Sequence, residues 1–133
     1  KNFKLQLLMK TIIAILRIHT MNQTKKALSE ADIPSFTATG QVYGRGKGKW
    51  DAEVMEGVKN NQPEAIALLG PEPRLRLHRL LTLTVADSKV KTAIQVIMDA
   101  NRTNAPGDGK IFVLPTTEAL SIRTGEFGDS VLD

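Results

Sequence analysis

The sequence predicts a two-layer α+β domain in which a four-stranded sheet carries both of its helices on one face. Apolar, β-branched stretches alternate with helix-forming ones in the order β-α-β, a long irregular segment, then β-α-β. Each half spans about 35 residues, the size of the halves of a ferredoxin-like βαββαβ fold, whose sheet is antiparallel. The chain has 133 residues, which suits one domain by the usual prior of about 100–200 residues per domain.

Each element has its own signal. "KTIIAILRI" (10–18) is almost continuously apolar, as in a strand buried on both faces or lying centrally in a sheet. "MNQTKKALSEADI" (21–33) holds helix formers, with Thr20 or Asn22 as N-cap, Ala27, Leu28 and Ala31 on one face, and Pro34 to end it. "SFTATGQVYG" (35–44) alternates Phe36, Ala38 and Val42 with polar residues and predicts a second strand. Residues 45–78 contain four of the ten glycines and three of the six prolines, with helical character only at 52–59 and 63–69. Loops of that length in compact domains are usually functional or disordered. "RLLTLTVAD" (79–87) resumes a strand, and "SKVKTAIQVIMDANR" (88–102) sets Val90, Ala93, Ile94, Ile97 and Met98 at helical spacing. "KIFVLP" (110–115) is the last strand, and no internal repeat or low-complexity segment interrupts the order.

Composition narrows the chemistry. The chain is 41% hydrophobic and 24% charged, as expected of a core-forming globule. With no cysteine it has no disulfide, thiolate metal site or cysteine nucleophile. Its two histidines, His19 and His78, lack metal-ligand spacing, so no metal site is expected. The net charge of +4 fits either a basic surface or an anionic ligand. The chain begins on Lys1, and "LQLLMKTIIAIL" (5–16) is interrupted by Lys10. It falls short of the roughly 18 apolar residues of a membrane span and lacks a cleavage site, so neither membrane insertion nor a signal peptide is expected.

The glycines point to a ligand. In "TNAPGDGKIFVLP" (103–115), Gly107 and Gly109 flank Asp108 and precede Lys110. Glycines leave backbone N–H groups uncrowded, so they can form an anion-binding concavity to which a lysine adds a point charge. Arg123 adds a planar fork for phosphate or carboxylate. The plainer alternative is a tight turn before a strand, with Arg123 on the surface. A second glycine-basic string, "YGRGKGKW" (43–50), fits neither the P-loop nor the dinucleotide fingerprint. Nucleic acid is not expected as a partner: the chain is 5% aromatic, and no strand interleaves the aromatics on which bases would stack. There is no nucleophile elbow and no histidine beside a carboxylate pair, so no catalytic residue is expected.

The strings "TNAPGDGKIFV" (103–113) and "IRTGE" (122–126), in this order, resemble the PII family of nitrogen regulatory proteins. The likeness extends over residues 9–127 through "TIIAILR", "KKALSEADIPSFT" and "YGRGKG". It implies a single domain over 1–133, with an N-terminal extension (1–8), a T-loop (45–78), a B-loop (102–109) and a C-terminal loop and tail (121–133). It also implies a cytoplasmic, non-enzymatic trimer whose clefts hold ATP or ADP. Gly44, Arg45, Gly107, Asp108, Gly109 and Lys110 would surround the phosphates, Arg123 would reach in from a neighbouring subunit, and Thr37 would lie near the adenine.

More narrowly, "PSFTATGQVYGRGKGKWD" and "EAIALLGPEPRL" look most like the second member of the PII-like pair encoded among nitrogenase genes of methanogens and some anaerobic bacteria. That likeness implies binding to dinitrogenase, a paralogous PII-like subunit, a homo- or heterotrimer or hexamer, and release by 2-oxoglutarate with Mg2+. Three departures from the family stand out. Asn104 replaces a glycine and Ser121 an arginine; Gly46 and, approximately, His78 stand where a glutamine and a lysine help to hold 2-oxoglutarate, with Lys47 adjacent. Trp50, Met55, Ile66, Leu68 and Leu69 are the candidate anchors on a target, or else the core of a small subdomain. No Ser, Thr or Tyr occurs from Arg45 to Leu81, so switching of this loop by ligand rather than by hydroxyl modification is expected.

Overall fold

The computed structural model describes residues 8–44 and 75–132. Strand β1 (Met9–Leu16) leads through a 3-10 turn (Ile18–Thr20) into helix α1 (Met21–Glu30). Strands β2 (Thr37–Gly44) and β3 (Arg76–Ala86), helix α2 (Asp87–Asn101) and strand β4 (Lys110–Thr116) follow, and a second 3-10 turn (Asp129–Val131) lies near the end. The sheet order is β2-β3-β1-β4 with every pair antiparallel, which is the predicted α+β, ferredoxin-like arrangement.

The core lies between the sheet and the two helices. Ile12, Ala14 and Leu16 of β1 and Leu81, Leu83 and Val85 of β3 point into it, against Met21 and Leu28 of α1 and Ala93 and Ile97 of α2. Of the two settings expected for the first strand, the central one holds: β1 pairs with both β3 and β4. Its burial alternates, however, because helices cover only one face. Ile13 and Ile15 turn to the other face, where register aligns them with Thr82 and Leu80 of β3 and with Phe112 and Lys110 of β4.

Helix α1 departs from the expected start and stop. Thr20 occupies the N-cap position, but the preceding 3-10 turn already gives it helical dihedrals, φ −96 and ψ −4. Its hydroxyl therefore donates back to the Arg17 carbonyl at 3.0 Å instead of capping. Asn22 lies within the helix. The helix ends at Glu30, before Pro34, in a Schellman motif. Asp32 takes φ 62, its amide donates to the Ser29 carbonyl, and the Ile33 amide donates to the Leu28 carbonyl at 2.9 Å. Ile33 and Leu28 are both buried and supply the apolar contact of that motif.

Two other expectations shift. The register of β2 slips between Ala38 and Gln41, so Val42 pairs with His78 and lies on the face opposite Ala38. Strand β3 starts at Arg76 rather than 79, because Leu77 and His78 pair with Tyr43 and Val42. Helix α2 buries Ala93 and Ile97 and half-buries Val90, Ile94 and Met98, the face its spacing predicts.

Candidate functional site: the loop before the last strand

Antiparallel pairing of β1 with β4 brings the end of β1 beside the start of β4, since Ile15 pairs with Lys110. The intervening loop, 102–109, folds around one carboxylate. Asp108 accepts the Thr103 hydroxyl at 2.5 Å, the Thr103 amide at 2.7 Å and the Asn104 amide at 3.0 Å. These bonds, the hydroxyl first, hold its carboxyl at about 2, below the ordinary 3.8. Asn104 takes φ 62, Gly107 φ 96 and Gly109 φ 108, so Asn104 adopts a left-handed backbone that its side-chain type tolerates. Gly109 has no alternative: a Cβ there would collide with the Ile15 carbonyl oxygen.

Among the described residues, the amides of Gly107 and Gly109 donate to no protein acceptor. Lys110 is exposed at the start of β4. Two unengaged backbone donors beside an ammonium form a surface suited to a phosphate or carboxylate. Behind it, between α2 and β4, opens a groove of about 380 Å³ lined by apolar residues including Ile94, Ile97, Met98, Ile111 and Val113.

Sequence reasoning missed Arg17, which follows β1 directly. Its Nη1 lies 3.0 Å from Asp108 Oδ1 and donates to the Thr103 hydroxyl at 3.4 Å, and its Nη2 donates to the Pro106 carbonyl at 3.3 Å. The signal was available in the topology alone: in an antiparallel β1–β4 pair, the residue after β1 flanks the loop before β4.

The remaining candidates lie elsewhere. Gly44 closes β2 beside His78, whose Nδ1 is 3.1 Å from the Arg76 carbonyl. This stem projects past the end of β1, at the same end of the sheet as the loop, because Leu16 already pairs with Arg79. Thr37 begins β2 on the far edge strand, opposite Thr82. Arg123 is exposed on a small hairpin closed by the Leu120–Phe127 bridge, where Gly125 (φ 72) donates to the Ser121 carbonyl at 2.8 Å. Ser121 thus closes a turn. Arg45, Gly46, Lys47 and the five candidate anchors Trp50, Met55, Ile66, Leu68 and Leu69 lie outside the described residues. No group of three or more His, Asp or Glu that could hold a metal occurs among the described residues.

The family model described as Nitrogen regulatory protein P-II matches residues 9–126, and the chain belongs to that family, whose members are signal-transduction regulators. Within it, the chain is 38% identical to a Nitrogen fixation nifHD region GlnB-like protein 2 of Methanothermobacter marburgensis, over 93% of this chain and 100% of the relative. It is 33% identical to a Nitrogen regulatory protein P-II of Cereibacter sphaeroides, over 93% and 100%. Among solved structures, it is similar to Arabidopsis thaliana PII bound to citrate, with a TM-score of 0.69 and 25% identity over 94% of this chain and 90% of the other.

Proposed function

We propose that this chain is a non-enzymatic nitrogen-status sensor that binds ATP or ADP and 2-oxoglutarate. It inhibits nitrogenase by binding dinitrogenase, together with a paralogous PII-like subunit. The observation that carries this reading is the likeness over 93% of the chain to relatives named for the nifHD region. The anion-suited loop at Gly107–Lys110 supports the nucleotide part.

The placement of the site residues supports a cleft between subunits. Lys110 starts β4, while the Arg123 hairpin follows its other end at Thr116. Seven residues of strand span about 20 Å. Thr37 lies on the opposite edge strand, three strand spacings or about 14 Å across the sheet. A nucleotide touching all three is therefore best served by more than one copy. The apolar face without helices, with Ile13, Ile15, Leu80, Phe112 and Leu114, supports a trimer, as a homo- or heterotrimer or a hexamer.

For 2-oxoglutarate and Mg2+ the fit is weaker, because Gly46 offers no side-chain oxygen and His78 replaces a lysine. The partner subunit then supplies more of that site, although a PII relative binds citrate, another small carboxylate. The segment between β2 and β3 carries the target contacts, and effectors at its stem shift it by differential affinity. No described helix is long and apolar enough to cross a membrane; we place the protein in the cytoplasm, with its target.

The test is co-purification of native dinitrogenase before and after an ammonium shift. Association that ATP with 2-oxoglutarate dissolves is expected, and no association under either condition overturns the reading. The second reading, a PII regulator of an ammonium transporter or glutamine synthetase, draws on the likeness to general P-II proteins. It would show as capture of those targets instead.

A further inference from the structure

We infer that Arg17 is a positioning residue of the nucleotide site: it locks the 103–110 loop onto the end of β1 and cancels the charge of Asp108, leaving the loop attractive to an anion. This rests on the proposed reading of the loop as a phosphate cradle.

Three observations carry it. First, the guanidinium spans the loop. Nη1 holds Asp108 and the Thr103 hydroxyl near the two ends of the loop, and Nη2 holds the Pro106 carbonyl in between. A planar fork can hold several acceptors in fixed directions, which a lysine's single ammonium cannot. Second, the guanidinium lies against the loop backbone. A Cβ added at Gly107 would sit 3.3 Å from Nη2, so the glycine makes room for Arg17 as well as adopting φ 96. Third, Arg17 offsets the carboxylate of the loop. The pair of Arg17 (+1) and Asp108 (−1) sums to 0, which leaves the charge of Lys110 uncompensated at the cradle. An unpaired carboxylate one residue from the donors at Gly107 and Gly109 would repel a phosphate. The side chains of Arg17 and Asp108 are only 25% and 23% exposed, so this pair is sheltered compared with an open surface ion pair.

The experiment uses the full chain and the variants Arg17→Gln, Arg17→Lys and Arg17→Gln/Asp108→Asn. ATP and ADP affinity is measured by calorimetry, and hydrogen exchange is followed at the Thr103 and Asn104 amides without ligand. Those amides report the clamp directly, since both donate to Asp108. Arg17→Gln is expected to weaken ATP about tenfold or more, the effect of about 1.4 kcal/mol. It should also speed exchange at both amides while the amides of β1 and β3 keep their protection. Arg17→Lys, the variant to use if Arg17→Gln does not fold, keeps the charge but loses the fork, so it is expected to lose less affinity yet still free the amides. Adding Asp108→Asn to Arg17→Gln should recover part of the ATP affinity by removing the uncompensated carboxylate, a recovery that mere structural damage does not give. Unchanged ATP affinity in Arg17→Gln, or a double variant no tighter than the single one, overturns the proposal. If the wild-type chain binds neither ATP nor ADP, the phosphate reading of the loop has failed and the role of Arg17 falls with it; faster exchange alone then marks a structural clamp.

Discussion

Gly109 and Gly107 both have positive φ, yet they differ in what surrounds them. At Gly109 an alanine Cβ meets the fixed backbone oxygen of Ile15, whereas at Gly107 it meets only the end of the Arg17 side chain. A left-handed alanine costs about 1–2 kcal/mol by itself. Gly107→Ala is therefore expected to lose about that much stability and Gly109→Ala clearly more, because β1 or β4 must also shift. Urea melts of the two variants check the order, and equal losses would contradict it. Asp108 carries a pH signature. Its folded carboxyl, at about 2, lies below the ordinary 3.8, so its contribution is complete above that ordinary value and is lost as pH falls toward 2. A side-chain carboxyl NMR titration is expected to show a midpoint near the lower value; a midpoint at the ordinary value would mean that Thr103 does not hold it.

Between the helices, one polar contact was not legible in the sequence. The Asn101 side-chain amide donates to the Thr24 hydroxyl at 2.9 Å and to the Ile97 carbonyl at 2.8 Å, while Thr24 donates to the Thr20 carbonyl at 2.7 Å. Both side chains are buried, and the Asn101 Oδ1 has no partner. Thr24→Val keeps the shape but strands one amide hydrogen, at a cost of about 1–3 kcal/mol, measurable as a lower urea midpoint at unchanged m-value. Helix α2 was legible because its 3.6-residue apolar spacing survives burial. The polar staple was not, since Thr24 and Asn101 are separated in sequence and become neighbours only when α1 packs on α2. The same limit explains the end of α1: Pro34 was the visible stop, whereas Asp32 stops the helix by adopting an αL conformation that its side-chain type tolerates.

Across the molecule, the sheet face without helices leaves Phe112 49% and Leu114 41% exposed. If this face joins the subunits, Phe112→Lys is expected to dissociate the oligomer, seen as a fall in mass by sedimentation at unchanged circular dichroism; an unchanged mass would remove the face from the interface. The nucleotide site is probed by Lys110→Ala and Arg123→Ala. Each removes a charge-assisted contact worth about 1.5–3 kcal/mol, or about one to two decades of ATP affinity. Calorimetry showing wild-type affinity in both variants would refute the site.

The sequence by itself determined the element order, the α+β class and the residue content of the 103–110 loop, because these depend on local pattern: β-branched runs, helical spacing, and glycines beside Asp108 and Lys110. It also carried the family resemblance through the two glycine motifs. Only the tertiary structure decided which residues meet. It set β1 at the sheet centre with one covered face, moved Val42 across the sheet through a bulge, and joined Thr24 to Asn101. It also brought Arg17 to Asp108. These are contacts between residues far apart in the chain, fixed by strand register and helix packing, to which no local propensity responds.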